Sequence, residues 1–242
     1  MPTWVKICGI TNHADAELAI ALGADALGFV FHRPSPRYIA PAQARAMVSS
    51  LRGKTLTVGV WLKEQQSQTQ FDLVASGVDC CQVYDAGVAA RLIADRHSVI
   101  FATDPLSARF STTRPGLDAP SVLLDCGRES HDTPHQIQEA RISNALAAIV
   151  KATPDLRAFE NRKSKTENPP RLILAGGLTP ENVFDRLFAV KSRGIGVDVA
   201  SGVESAPGKK DPDKLNRFFE GVRKWDATAG SAGSADDLSP KP

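Results

Sequence analysis

The chain has 242 residues, of which 42% are hydrophobic and 23% charged, values typical of a globular protein with a sizeable core. Its 29 basic and 27 acidic residues nearly cancel, and the net charge of +2 has no strong block of either sign. This pattern argues against a nucleic-acid partner. With no apolar run of bilayer length and no signal-like opening, we expect a cytoplasmic protein with no membrane partner.

The first predicted strand is Val5–Thr11, which ends in a thiol followed by a glycine. Alternate residues of a strand face opposite sides, so Lys6 and Cys8 share one face. If Val5 and Ile7 pack against helices, the Lys6 and Cys8 face lies in an interior. A single cysteine is more often a small buried hydrophobe than a reactive group, so its meaning depends on the rest of the chain.

Cysteine spacing indicates reduced thiols. The four cysteines lie far apart or adjacent, without the C-x-x-C spacing or paired histidines of a structural zinc site, and are Cys8, Cys80, Cys81 and Cys126. We expect neither a metal site nor a disulfide framework.

Strand and helix patterns alternate along the chain. Short apolar runs predict seven further strands, at Ala26–Phe31, Thr55–Leu62, Val78–Val83, Ser98–Ala102, Ser121–Asp125, Arg171–Ala175 and Gly194–Ala200. Helical spacing and capping signals predict helices at His13–Leu22, Pro41–Ser50, Gln66–Ala75, Ala86–Asp95, Pro134–Ala152, Thr179–Ser192 and Pro212–Trp225. Eight strands alternating with helices favour the α/β class and a single (β/α)8 barrel over residues 1–225. A Rossmann-type sheet is the alternative, but no G-x-G-x-x-G follows the first strand.

Three stretches show no regular period. Residues 104–120 are rich in Ser, Thr, Arg and Pro and are interpreted as loop. Residues 153–170 form a polar, lysine-rich connection that ends in two prolines. Residues 226–242 contain too few large apolar side chains to order themselves, so we predict a disordered C-terminal tail.

The loops after the seventh and eighth strands indicate a phosphate site. In a (β/α)8 barrel these two loops commonly bind phosphate at the C-terminal end of the barrel. Here they carry small residues, which let backbone N–H groups approach an anion. Glycines at strand ends also form ordinary turns, but small residues at both expected places are a stronger signal. The predicted phosphate-binding residues are Gly176, Gly177, Ala200, Ser201 and Gly202.

Cys8 and Asp125 end the first and sixth predicted strands, so both would face the mouth of one closed barrel. A thiolate is a competent base and a protonated carboxyl a competent acid, as proton transfer beside a sugar carbonyl requires. Lys6, one layer further in, either favours the thiolate or forms an interior ion pair with a neighbouring carboxylate. The sequence leaves both open.

Together these motifs resemble those of the phosphoribosylanthranilate isomerases of tryptophan biosynthesis. The similar segments are Val5–Thr11, Gly23–Phe31, Ser35–Tyr38, Leu123–Asp125, Leu174–Val183 and Gly196–Glu204. The resemblance runs from Val5 to about Arg223 and is weak in the middle. It implies a TIM barrel that converts N-(5-phosphoribosyl)anthranilate into 1-(2-carboxyphenylamino)-1-deoxyribulose 5-phosphate by an Amadori rearrangement. No metal or organic cofactor is implied, and the oligomeric state is left open.

The resemblance also implies residue roles by matching position. Asp125 would protonate the furanose ring oxygen, and Cys8 would then remove the proton from C2 of the ribose. Arg37 would hold the anthranilate carboxylate, which suits a planar guanidinium. Asp198 would accept hydrogen bonds from the sugar hydroxyls.

The sequence departs from the family pattern after two of its strands, and its polar connection at 153–170 is longer than is usual in the family. The family usually ends its fourth strand with Gln-Leu-His-Gly, whereas this chain has Tyr84 in the histidine position. A glycine-rich loop follows the catalytic aspartate in the family, but here the chain continues as Cys126–His131, in which Arg128 could supply charge. Two alternatives therefore stay open: another sugar-phosphate isomerase, such as the two-aspartate relative of histidine biosynthesis, and a divergent barrel that binds a phosphorylated ligand without turnover.

Overall fold

The computed structural model describes residues 2–62, 66–104, 121–126, 169–170, 172–190 and 194–228. Eight parallel strands close into a barrel in sequence order, with the last strand paired to the first. They are β1 Trp4–Cys8, β2 Ala26–Val30, β3 Leu56–Trp61, β4 Cys80–Val83, β5 Ser98–Thr103, β6 Ser121–Asp125, β7 Leu172–Ala175 and β8 Gly196–Val199. This closed order confirms the predicted (β/α)8 barrel.

Six helices lie in the described part of the chain. They are α1 His13–Leu22, α2 Pro41–Leu51, α3 Gln66–Ser76, α4 Ala86–Ala94, α5 Val183–Val190 and α6 Pro212–Ala227. None of these helices has both the length and the apolar character needed to cross a membrane. The predicted helix Pro134–Ala152 lies outside the described residues, as do 105–120, most of the connection at 153–170, and the tail from 229 onward.

Local signals explain where these helices begin and end. Asn12 caps α1 by accepting a hydrogen bond from the backbone N–H of Asp15, and Gly23 ends it with φ at +108°. Asp211 caps α6 in the same way, directly before a proline at the first helical position. The predicted starts of both helices are therefore confirmed.

The strand alternation predicted for β1 is also confirmed. Val5 and Ile7 pack in the cluster that faces the helices, whereas Cys8 belongs to the cluster inside the barrel. Lys6 is fully buried beside Asp198, its register partner on β8. Gly28 of β2 leaves room for this face, because a Cβ there would lie 2.8 Å from Sγ of Cys8.

Most predicted helix bounds agree with the structure to within one residue, and two helices differ by more. Helix α5 begins at Val183, because Thr179–Asn182 forms a separate turn in which the Thr179 N–H donates to Oδ1 of Asn182 at 2.8 Å. Helix α6 continues to Ala227, two residues past the predicted end. There the Asp226 carboxylate accepts hydrogen bonds from the backbone N–H of Thr3, which ties this end of the helix to the start of the chain.

One further segment was not predicted. After β8 the chain forms a 3₁₀ turn at Ser201–Val203 and then an antiparallel hairpin, β9 Glu204–Ala206 and β10 Lys209–Lys210, before α6. This hairpin carries two buried charged side chains, Glu204 and Lys210, to the C-terminal end of the barrel.

Candidate active site

A cavity of about 350 Å³ opens at the C-terminal ends of the barrel strands. Most of the predicted site residues line it, namely Cys8, Arg37, Asp125, Gly176, Gly177, Asp198, Ala200 and Ser201. Gly202 is not among the lining residues. A Cβ at Gly202 would collide with the carbonyl oxygen of Leu178, so this glycine lets the loop after β8 pack closely against the loop after β7.

Lys6 forms the interior ion pair that was one of its two predicted roles. Its Nζ donates to Oδ2 of Asp198 at 2.9 Å, and both side chains are buried. Burial alone would lower the pKa of Lys6, but the charges of Asp198 and then Cys8 outweigh it and raise that pKa above its ordinary value. Oδ1 of Asp198 has no hydrogen-bond partner among the described residues, which leaves a buried acceptor beside the cavity.

The Cys8 thiol lies at the end of β1 in a strongly desolvated position. Burial raises the pKa of this thiol above its ordinary value, and the charge of Asp198 adds to the rise. The ammonium groups of Lys6 and Lys210 act in the opposite direction but do not outweigh burial. Lys6 and Lys210 therefore favour the thiolate, but burial has the larger effect on this pKa.

The other three cysteines have no access to this cavity. All four are free and buried, and Cys8 alone among them lines the cavity. Burial raises the pKa of Cys80 to about 11 and that of Cys126 to about 12. Within the described ranges, no group of three or more His, Cys, Asp or Glu side chains could hold a metal ion.

Asp125, at the end of β6, is contacted by the residue that replaces the family histidine. The Tyr84 hydroxyl donates a hydrogen bond to Oδ2 of Asp125 at 2.9 Å, and both residues line the cavity. The departure at Tyr84 thus lies in the site itself. The second departure begins at Cys126, but residues 127–131, including Arg128, lie outside the described residues.

The loop after β7 exposes its backbone at the cavity mouth. Gly176 and Gly177 have φ values of +85° and +66°, the left-handed region that favours glycine. A Cβ at Gly177 would meet no atom within 4 Å, so the backbone faces open space. The Asn182 side chain donates to the carbonyl of Gly177 at 2.9 Å and so restrains the loop.

Arg37 reaches the cavity from the loop after β2 and is held by a residue to which the sequence analysis assigned no role. Its Nε donates to Oε1 and Oε2 of Glu204 at 2.9 and 3.1 Å, and its Nη2 donates to Oε2 at 2.7 Å. The hydrogen bond with Glu204 raises the pKa of Arg37, so the guanidinium stays charged. A signal for Glu204 was present, because it directly follows the small-residue loop.

Lys210 was also missed, because its sequence neighbours resemble a solvated charge run before a helix. It is buried, and its Nζ donates to the carbonyl oxygens of Cys8 at 2.6 Å and of Ala200 at 3.1 Å. The same Nζ lies 2.9 Å from Oε1 of Glu204. Lys210 therefore joins β1, the loop after β8 and the Glu204–Arg37 pair.

The fold and the cavity together define a class of protein. A closed (β/α)8 barrel that brings a thiol, a carboxyl group, a guanidinium and a glycine loop to one cavity at its strand ends is a (β/α)8-barrel enzyme.

Comparison with known proteins identifies the family. The family model for N-(5'phosphoribosyl)anthranilate (PRA) isomerase matches residues 155–221. The N-(5'-phosphoribosyl)anthranilate isomerase of Dechloromonas aromatica is 32% identical over 226 residues, which cover 93% of this chain and 99% of that protein. This chain belongs to the phosphoribosylanthranilate isomerase family.

Solved structures agree with this assignment. The crystal structure of phosphoribosyl anthranilate isomerase from Thermotoga maritima is 31% identical, with a TM-score of 0.69, over 92% of this chain and 99% of that one. A second structure of such an isomerase contains reduced 1-(o-carboxyphenylamino)-1-deoxyribulose 5-phosphate. It is 31% identical, with a TM-score of 0.65 and the same coverage of both chains.

Proposed function

We propose that this protein converts N-(5-phosphoribosyl)anthranilate into 1-(2-carboxyphenylamino)-1-deoxyribulose 5-phosphate in the biosynthesis of tryptophan. The observation that carries the proposal is the single cavity that joins Cys8, Asp125, Arg37 and Asp198 with the glycine loop after β7, in a chain of this family. The ligand held by the related isomerase, a reduced form of that product, supports a phosphorylated substrate.

The phosphate group of the substrate would lie at the mouth formed by the loops after β7 and β8. Gly177 has no side chain, so its backbone is accessible to an anion at this mouth. Ala200 and Ser201 complete the lining. Backbone N–H groups in such a concave turn bind anions without a charged side chain. Gly202 supports the site by allowing the two loops to pack, rather than by touching the phosphate.

The other end of the substrate carries the anthranilate carboxylate, which Arg37 would bind. The guanidinium is charged and reaches the cavity, and a planar fork of N–H donors matches a carboxylate. Between the two ends, Asp198 would accept a hydrogen bond from a sugar hydroxyl through its unpaired Oδ1.

The chemistry then needs one proton donor and one proton acceptor. Asp125 would give its proton to the ring oxygen, which breaks the C1–O bond as the nitrogen lone pair forms the Schiff base. The Cys8 thiolate would remove the proton from C2, and the electron pair left behind forms the enolamine. Tautomerisation to the ketone moves the hydroxyl proton to C1, and proton exchange with solvent restores Asp125 and Cys8.

The test is a fluorescence assay with purified protein that follows the loss of N-(5-phosphoribosyl)anthranilate. Catalysed conversion to the ketone product is expected, and product identity is checked by mass spectrometry together with NMR of C1. Absence of turnover would overturn the proposal, and a product analogue that still binds would then indicate a silent phosphate-binding barrel. Turnover of the histidine-pathway aldose substrate in place of this one would indicate the other isomerase. The cytoplasmic location stays a prediction, which cell fractionation checks.

A further inference from the structure

We infer that Glu204 is a positioning residue that orients Arg37 toward the carboxylate of the substrate, and so makes the enzyme selective for carboxylated aromatic amines. The inference rests on the proposed function, because it assigns a cause to the selectivity of the same site. Glu204 acts through Arg37 and does not contact the reacting atoms.

The geometry of the pair leaves one end of the guanidinium for a ligand. Glu204 accepts from Nε and from Nη2, so it occupies the side-on edge of Arg37. A guanidinium has five N–H donors in a rigid plane, and a side-on contact uses one from each of these two nitrogens. The end-on pair, formed by Nη1 and the second N–H of Nη2, is therefore the edge that a substrate carboxylate would meet.

Other contacts restrict the stem of Arg37. A Cβ added at Gly9 would lie 2.6 Å from Cδ of Arg37. The Arg37 side chain therefore runs directly along the backbone that follows β1. The backbone N–H of Arg37 donates to the hydroxyl of Ser35 at 3.1 Å, which restrains the loop. With its stem held on one side and its guanidinium on the other, Arg37 loses little further entropy when a carboxylate binds.

Glu204 is itself held in place by buried donors. Lys210 contributes its Nζ at 2.9 Å, and the backbone N–H of Gly208 donates at 3.3 Å. Glu204 thus accepts from two cations while its side chain is only 4% exposed. The two cations and one carboxylate leave one net positive charge at this side of the cavity, which favours an anionic group on the substrate.

An arginine that is already oriented toward the carboxylate changes how strongly the enzyme prefers substrates that carry this group. It has less effect on how tightly the rest of the substrate binds. A substrate without the carboxylate would leave a fixed, partly desolvated guanidinium edge without a partner, and such a loss penalises the wrong substrate strongly. If Glu204 no longer orients that edge, kcat/KM falls for the carboxylated substrate. The kcat/KM of a substrate without the carboxylate is little affected.

The experiment compares two substrates on five proteins. The substrates are N-(5-phosphoribosyl)anthranilate and its decarboxylated analogue N-(5-phosphoribosyl)aniline, made from aniline and ribose 5-phosphate. The proteins are wild type, Arg37→Ala, Glu204→Gln, Glu204→Asp and the control Glu181→Gln. Glu181 is a matched control because it pairs with Arg217 at 2.8 Å on the exposed surface. The readout is the ratio of the two kcat/KM values, which does not depend on how much of each preparation is folded.

Wild type and Glu181→Gln should prefer the carboxylated substrate by about 100-fold or more, and Arg37→Ala should lose nearly all of that preference. Both Glu204 variants should lose at least about tenfold of the ratio, through a higher KM for the carboxylated substrate. A wild-type ratio in both Glu204 variants, with both kcat/KM values lowered together, would overturn the inference and leave the isomerase activity standing. Wild type that turns over neither substrate would instead overturn the proposed function and this inference with it.

Discussion

Tyr84 donates its hydroxyl proton to Oδ2 of Asp125 at 2.9 Å, which joins the end of β4 to the end of β6 across the cavity. A hydrogen bond from this hydroxyl stabilises the carboxylate that remains when Asp125 gives up its proton in the proposed reaction. This contact exists because the chain has tyrosine where the family usually has histidine.

Replacing Tyr84 by phenylalanine should lower kcat by about 10- to 100-fold with little change in KM, because a hydrogen bond to a charged group contributes about 1.5–3 kcal/mol. Steady-state kinetics with N-(5-phosphoribosyl)anthranilate give the measurement. Tyr38→Phe is the matched control, since it removes the same atom from a tyrosine that lies in the loop after β2 and outside the cavity lining. Equal kinetics in the two variants would refute the role of Tyr84.

The proposed base makes a second prediction, for Cys8→Ala. Turnover should fall by about 10²- to 10⁴-fold while a product analogue still binds, because a general base acts in the chemical step. Single-turnover kinetics and fluorescence titration separate the two effects. Cys80→Ala is the control, because that thiol lies inside the barrel away from the cavity lining. Near-normal turnover by the Cys8 variant would remove the proposed mechanism.

The raised pKa of Cys8 predicts how its thiolate fraction changes with pH. The thiolate is the nucleophilic form, and below the pKa its fraction rises about tenfold for each pH unit. The rate at which iodoacetamide alkylates Cys8, taken as the difference between wild type and Cys8→Ala, should therefore rise about tenfold per unit between about pH 6 and 8. Turnover does not report this pKa alone, because the proposed reaction also needs a protonated Asp125. A Cys8 alkylation rate that is flat over the same range would contradict the raised pKa.

The glycine loop allows a test of the phosphate site. A valine at Gly177 should weaken binding of inorganic phosphate and of the product, because its side chain would stand between the backbone and the anion. Its positive φ also costs about 1–2 kcal/mol of stability for any larger residue. Gly53→Val is the control, because Gly53 has φ at +77° and equally open space but precedes β3 at the opposite end of the barrel. If both variants bind phosphate as wild type does, the phosphate lies elsewhere.

The buried Glu204 links stability to pH. Burial alone would raise its pKa, but the hydrogen bond from Arg37 and the charge of Lys210 outweigh burial, so the folded-state pKa lies below the ordinary 4.5. Its contribution to the free energy of unfolding is therefore present above about pH 4.5 and is lost as pH falls through the folded-state pKa.

Glu204→Gln should be less stable than wild type by about 3 kcal/mol at pH 7, because the substitution leaves the charges of Arg37 and Lys210 without their carboxylate. The lowered pKa of Glu204 predicts that part of this difference is lost below about pH 4.5. Urea unfolding, monitored by circular dichroism, measures the free energy of unfolding of each protein at each pH. Glu181→Gln should differ little at any pH, because exposed ion pairs contribute little. A Glu204 difference that stays constant down to pH 3 would show that the charge of Glu204 is not its source.

The sequence alone determined the strands and helices, because these elements depend on residues that are close together along the chain. Apolar runs and capping residues predicted the presence of all eight strands and most helix bounds to within one residue, because the periods of strands and helices are local properties. The topology of a parallel (β/α)8 barrel then placed Cys8, Asp125 and Asp198 at one end of the barrel without coordinates. The start of α5 was misplaced because the Thr179–Asn182 turn carries the same residues as a helix cap.

Only the tertiary structure decided which charged groups pair. Lys6 meets Asp198, and Arg37 meets Glu204, across sequence separations of 192 and 167 residues. Nothing in the local pattern distinguishes Lys210 from a solvated lysine, although it is buried against the carbonyl of Cys8. Closure of the barrel brings the first and last strands together, and the hairpin after β8 then places Lys210 against the C-terminal ends of both. These contacts arise from that closure, so their partners cannot be deduced from residues close in the chain.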